Sequence, residues 1–206
     1  MTIASTRTRY RFTEEQQQRI AALGIPPGDA HHFTFDEFVQ LWGAEVFGPE
    51  ERVELIEGEM FEMPGAEAPH ANAVRNANRL LSRIVPNGYI VDVQNPIRLS
   101  TDGAPLPDLA ILYDREYDTL PTEADVLLLI EVSDSTLRSN RGDKLRTYAK
   151  AGISEVWIVN VGAREIERYT VPHGETYGQK VTAQAGESLA STVVPGIVIP
   201  VAEILR

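Results

Sequence analysis

Asp108, Glu131, Ser133 and Lys144 carry the groups that matter most in this chain, because three of them could together run phosphodiester hydrolysis. That reaction needs a nucleophilic water, neutralised charge at phosphorus and a stabilised leaving oxygen. A magnesium ion can serve all three when one or two carboxylates hold it and waters or substrate oxygens fill its other positions. Asp108, directly after Pro107, and Glu131 offer the carboxylates, and the backbone carbonyl of Val132 offers a third ligand. Two acids at such close range repel and raise one pKa until a cation relieves them. Lys144 supplies an ammonium that could orient the attacking water and offset charge in the transition state. The same residues have plainer readings. Pro-Asp is common in turns, a glutamate can end a strand in water, and Lys144 can pair with Asp143 or cap the sheet. Ser133 has no evident histidine partner, so it is not a nucleophile.

These residues need two strands and a helix to hold them. Leu106 to Tyr113 and Ala124 to Val132 read as strands, and Asp143 to Ala151 as a helix closed by Gly152. Strand alternation puts Leu127, Leu129, Glu131 and Ser133 on one face, so Glu131 ends an apolar row. Glu155 to Val161 is a further strand, and a helix between two strands predicts a parallel pair. Upstream, a helix from Pro69 to Ile84 carries Ala73, Ala77, Leu80, Leu81 and Ile84 on one side, and Tyr89 to Leu99 follows as a strand. Val53 to Met63 alternates around Gly58 as a hairpin. Phe35, Phe38, Leu41 and Trp42 form the apolar stripe of a helix begun by Thr34, and Thr13 caps a shorter helix that Gly24 and Pro26-Pro27-Gly28 stop. Past Gly162 a hairpin around Ala163-Arg164 and a β-rich stretch from Ser188 to Ile199 complete the chain. The class is α/β, with residues 1–33 as an N-terminal arm and 34–206 as one domain.

Composition restricts the chemistry. With no cysteine there is no disulfide, thiolate zinc site or cysteine nucleophile. The first thirty residues lack a continuous apolar core, and the longest apolar stretch, Val126 to Ile130, is too short to span a bilayer, so no membrane and a cytoplasmic location are expected. The formal charge of −11 runs against nucleic-acid binding, which draws on Lys and Arg to neutralise phosphates. Arg138, Arg141, Lys144, Arg146 and Lys150 form a candidate basic strip, or else a solvated helix face.

Taken together, Pro107-Asp108, Glu131-Val132-Ser133, Asp143-Lys144-Leu145, Tyr148 to Ile153 and Glu155 to Val159 resemble the Uma-two group of the PD-(D/E)XK nuclease superfamily, which is restriction-endonuclease-like. Glu54 to Glu59 and His70 extend the likeness upstream, and Pro195-Gly196-Ile197 and Val201 to Ile204 extend it downstream. The resemblance implies a restriction-endonuclease-like αβββαβ core with a mixed central sheet and peripheral β-hairpins. It also implies DNA cleavage dependent on Mg2+, with Mn2+ as a substitute. Asp108 and Glu131 match the superfamily's metal-binding acids. Its usual lysine lies two residues after the second acid, where this chain has Ser133, and Lys144 is the natural replacement. Glu54 shares a strand face with Ile56 and Met60, so it points into the site or rests at a sheet edge. His70, near a helix start, could bind phosphate, position water or act as a cap. Trp157 is expected in the core. DNA is the expected partner, and a homodimer is expected because cutting both strands suits a two-fold pair of sites. The competing expectation is a catalytically decayed nuclease fold used for binding or assembly.

Overall fold

The computed structural model describes residues 8–28, 30–63, 65, 67–100, 102–133 and 138–206, with the side chains of residues 138–141 excepted. Two short helices come first, α1 (Glu14–Ala22) and α2 (Phe35–Gly43). Each opens on a reciprocal cap: the Thr13 hydroxyl accepts from the Gln16 N–H and the Thr34 hydroxyl from the Glu37 N–H, while the Gln16 and Glu37 side chains accept from the Thr13 and Thr34 N–H groups. The strands β1 (Val53–Ile56) and β2 (Glu59–Glu62) form an antiparallel hairpin. Its two-residue turn, Glu57-Gly58, has φ of 48° and 79°, the left-handed pair that matches strand twist.

The long helix α3 (Ala68–Ile84) starts with a proline in its first turn, where the missing N–H costs nothing. It buries Ala73, Val74, Ala77 and Leu81, while Ile84, expected on that stripe, is exposed at the frayed end. Then come β3 (Tyr89–Val93), β4 (Leu109–Tyr113), β5 (Val126–Ser133), α4 (Arg138–Lys150) and β6 (Glu155–Asn160). The strand expected to reach Leu99 stops at Val93 because Gln94 turns to φ 54° and Pro96 follows. The chain continues as a hairpin of β7 (Glu165–His173) and β8 (Thr176–Gln184). It finishes as β9 (Ser188–Ala190), β10 (Val198–Pro200) and α5 (Val201–Ile204).

Strands β3 to β8 lie in sequence order in one six-stranded sheet, antiparallel throughout except for the parallel β5–β6 pair across α4. The α3, β3, β4, β5, α4, β6 succession is the expected αβββαβ order inside a mixed sheet. On the α3 side, Ala77, Leu81, Ile111, Leu128, Ile130, Val132, Trp157 and Ile204 pack together. On the α4 side, Leu112, Leu129, Tyr148, Val156 and Ile158 do so. Each fully buried leucine or isoleucine contributes about 2 kcal/mol by transfer from water.

One expectation fails here. Leu127 belongs to the α3-side cluster, whereas Leu129 faces α4. The cause is a bulge in the β4–β5 ladder: Ile111 pairs with Leu128 but Leu112 pairs with Val126, which leaves Leu127 as the extra residue. Alternation is regular again downstream, so Leu129 and Glu131 do share the α4 face.

A third cluster, rich in aromatics, joins Tyr10, Phe12, Ile20 and Phe33 to Phe35, Phe38, Phe47 and Leu55. Among the described residues no helix is long and apolar enough to cross a membrane.

Candidate active site

The parallel strand β5 carries Glu131 near its C-terminal end, and the first antiparallel pair of β4 with β5 is Leu109 with Ile130. One step beyond that pair, Asp108 therefore stands opposite Glu131. Asp108 Oδ2 accepts from the Val132 N–H at 2.8 Å, so the carboxylate takes the place of a ladder acceptor where β4 runs out. A strand residue sends its N–H and C=O to the same edge. The Val132 carbonyl is thereby directed to the Asp108 side.

Helix α4 supplies the opposite wall. Lys144 and Tyr148 are four residues apart, which puts them one above the other on one helical face. Both reach Glu131: the Lys144 Nζ lies 3.1 Å from each carboxylate oxygen, and the Tyr148 hydroxyl donates to Oε1 at 2.6 Å. The helix end that sets their height is a Schellman closure. Gly152, at φ 75°, donates to the Ala149 carbonyl and Ile153 to that of Tyr148, both at 3.0 Å.

The hairpin and α3 bring the two remaining candidates. Glu54 of β1 points inward and is 4% exposed, with its Oε2 3.3 Å from Lys144 Nζ and 3.4 Å from the Leu106 N–H. His70, in the first turn of α3, meets Asp108 Oδ2 through Nε2 at 3.1 Å, while its buried Nδ1 has no partner among the described residues. All five sequence candidates, together with Val132, therefore converge at one end of the sheet.

Two contributors were not anticipated. Gln94 donates from Nε2 to Asp108 Oδ1 at 3.2 Å and from its backbone to the Asp108 carbonyl at 3.2 Å. It does so from φ 54°, a conformation that costs a non-glycine residue about 1 kcal/mol. Tyr148 lies in the stretch that carries the family likeness, and its four-residue spacing from Lys144 is legible in the sequence. Of the candidate basic strip, the described side chains do not form one continuous surface. Lys144 is turned inward, and Lys150 pairs with Glu57 at 3.2 Å and Glu175 at 2.9 Å. Arg146 remains exposed, and the side chains of Arg138 and Arg141 lie outside the described residues.

Electrostatics separate the two central acids. Burial pushes Asp108 up, but the His70 hydrogen bond, the His70 and Lys144 charges and the Val132 N–H outweigh it, so Asp108 lies below the ordinary carboxylate range. Its hydrogen bond in turn raises His70 towards its charged form, against burial. Burial raises Glu131, Lys144 and Tyr148 pull it back, and Asp108 and Glu54 push it further up. Three buried carboxyl groups, two of them in contact with it, thus share the site with one buried ammonium. With all three ionised and His70 neutral, Lys144 would leave unmatched, among these described groups, the charge of one divalent cation. An all-oxygen set of Asp108, Glu131 and the Val132 carbonyl is also the donor chemistry that Mg2+ or Mn2+ takes. The residues therefore fit such an ion, although among the described residues no three of Asp, Glu and His are gathered tightly enough to ligate one unaided.

Comparison with known proteins bears on the family and the fold. Residues 35–202 match the model of the Uma2 family, described as "Putative restriction endonuclease". Among solved structures, a crystal structure of a "putative nuclease" from Anabaena variabilis superimposes with a TM-score of 0.66 at 13% identity, covering 84% of this chain and 97% of that one. That likeness is one of fold. No curated protein matches the chain.

Proposed function

Because the chain belongs to the Uma2 family, we propose that the Asp108–Glu131 centre hydrolyses DNA phosphodiester bonds as a divalent-metal-dependent endonuclease. The carrying observation is the meeting of Asp108, Glu131 and the Val132 backbone at one sheet end, beside the buried cation Lys144. Asp108, Glu131 and the Val132 carbonyl would hold Mg2+ or Mn2+, which when bound supplies an activated water and neutralises charge at phosphorus. Asp108, kept ionised by His70, is the ready ligand. Glu131 is held in place by Tyr148 and Lys144 for the same ion. Lys144 offsets negative charge from the protein side, and Glu54 anchors Lys144. His70 fixes the Asp108 carboxylate and lies where an incoming phosphate would pass the first turn of α3.

Support for a DNA substrate comes from charge distribution as well as family. Helix α3 bears no acid and presents Arg75, Arg79 and Arg83 on exposed positions four residues apart, in a chain of net charge −11. Those side chains offer phosphate contacts that the acidic remainder does not. Double-strand cleavage would pair two copies of the chain about a two-fold axis.

The test is supercoiled plasmid with Mg2+ or Mn2+, assayed for nicked and linear product. Cleavage is expected for the wild type, abolished by a chelator and lost in Asp108→Ala and Glu131→Ala variants that retain their circular dichroism. A wild type that binds no metal and cuts no DNA would sink the proposal. One observation favours the decayed, partner-binding reading: the oxygens of Asp108 and Glu131 already have donors inside the protein. That reading predicts that partner binding survives alanine replacement of Lys144 in whatever fraction of the protein stays folded.

A further inference from the structure

Lys144 occupies a cradle with the donors of a metal site. An ammonium has three protons to give, and among the described residues the Leu106 carbonyl at 3.2 Å, Glu131 at 3.1 Å and Glu54 Oε2 at 3.3 Å stand within reach of them. Two carboxylates and a backbone carbonyl are the kind of hard oxygen set that a divalent cation accepts. Asp108 is not part of it. Its oxygens are turned to His70, the Val132 N–H and Gln94. The centre thus has two lobes that share Glu131, one built on Glu54 and Leu106 and filled by an ammonium, the other built on Asp108 and Val132.

We propose that Lys144 is the permanent cation of the Glu54 lobe, so that the centre takes a single divalent ion beside Asp108, and that removing the ammonium opens a second ion site. Charge favours the single ion. Among the described groups other than His70, one divalent cation with one ammonium balances three carboxylates; a charged His70 would leave still less room for a second divalent ion, which would also meet the ammonium at close range. Geometry favours it too. Lys144 is buried, its side chain leaves α4 directly over Glu131, and Tyr148 on the next turn holds the shared carboxylate. The lobe also gives Glu54, on a peripheral hairpin, a reason for its burial: its carboxylate pairs with the buried ammonium. This inference rests on the metal-dependent reading above.

The experiment is a count of ions. The full chain is titrated with Mn2+, free metal being followed by electron paramagnetic resonance and heat by calorimetry. One ion per chain is expected for the wild type, two for Lys144→Ala, and one again for Lys144→Ala combined with Glu54→Gln. Two ions in the wild type, or one in a folded Lys144→Ala, would overturn the inference and leave the nuclease reading standing. No ion in the wild type would remove the metal-dependent reading, and this inference with it. If Lys144→Ala does not fold, the wild-type count decides alone, one ion supporting the proposal and two refuting it.

Discussion

Two glutamates on adjacent strands are buried to similar depth, and their surroundings could hardly differ more. Glu155, at the start of β6, is 0% exposed and accepts from the Trp157 indole at 2.6 Å, from the Thr192 N–H at 2.8 Å and from the Thr192 hydroxyl. Every one of those donors is neutral. They tie the loop between β9 and β10 to the sheet, and the charge is solvated by dipoles. Glu131 instead shares its space with two other acids and an ammonium. Burial of an acid therefore marks nothing by itself. Accumulated like charge beside a buried ammonium is what the proposed metal-dependent reading builds on.

The largest effect should come from exchanging the two roles. Glu131→Gln is expected to slow DNA cleavage about a thousandfold or more while the protein stays folded. Glu155→Gln should keep the cleavage rate per folded molecule yet lose about 2–3 kcal/mol in urea denaturation, since its amide would confront the Thr192 donors. If the two variants behaved alike in plasmid nicking, the distinction between the glutamates would be gone.

Smaller changes sharpen the same contrast. Tyr148→Phe removes one donor from Glu131 and is expected to slow cleavage about tenfold, in the range typical of groups that support a metal ligand. Gln94→Ala should weaken Mn2+ binding by about tenfold, read by calorimetry, because Asp108 loses its hold on Oδ1. The smallest effect belongs to a carboxylate of the Glu155 kind. Burial raises Asp125, but the Thr122 N–H and hydroxyl and the Arg115 charge more than reverse this, so it lies below its usual value. A depressed acid stabilises fully above its unfolded pKa and loses that contribution as pH falls through the folded one. Asp125→Ala should thus cost about 1 kcal/mol at neutral pH. The gap from wild type in thermal melts should close as pH drops below about 4.

What could be read in the residues was whatever depended on local pattern. The Glu57-Gly58 turn, the capping threonines, the Gly152 stop and the order of core elements all follow from short-range rules. The meeting of Asp108, Glu131 and Lys144 followed from those elements plus the family likeness. The bulge at Leu127 was invisible because five consecutive apolar residues, Val126 to Ile130, carry no alternation to disturb. Gln94 left no trace either, since nothing in Val93-Gln94-Asn95 announces a left-handed glutamine, and only tertiary contact with Asp108 explains one. The inward turn of Lys144 and the neutralised Lys150 depended on Glu54, Glu57 and Glu175, which are remote in the chain. A helix read alone could not reveal them.

The hairpin turn at Glu57 reaches further than its size suggests. Its carboxylate accepts from the Thr147 hydroxyl at 3.3 Å and from Lys150 at 3.2 Å, while Glu54 on the same hairpin grips Lys144. Helix α4 is thereby riveted, from Lys144 to Lys150, to the hairpin whose Leu55 and Met60 pack in the aromatic layer with Tyr10, Phe12 and Phe38. Heating that loosened this outer layer would let the lysine-bearing helix drift, so catalytic failure and melting of the aromatic layer should arrive at one temperature.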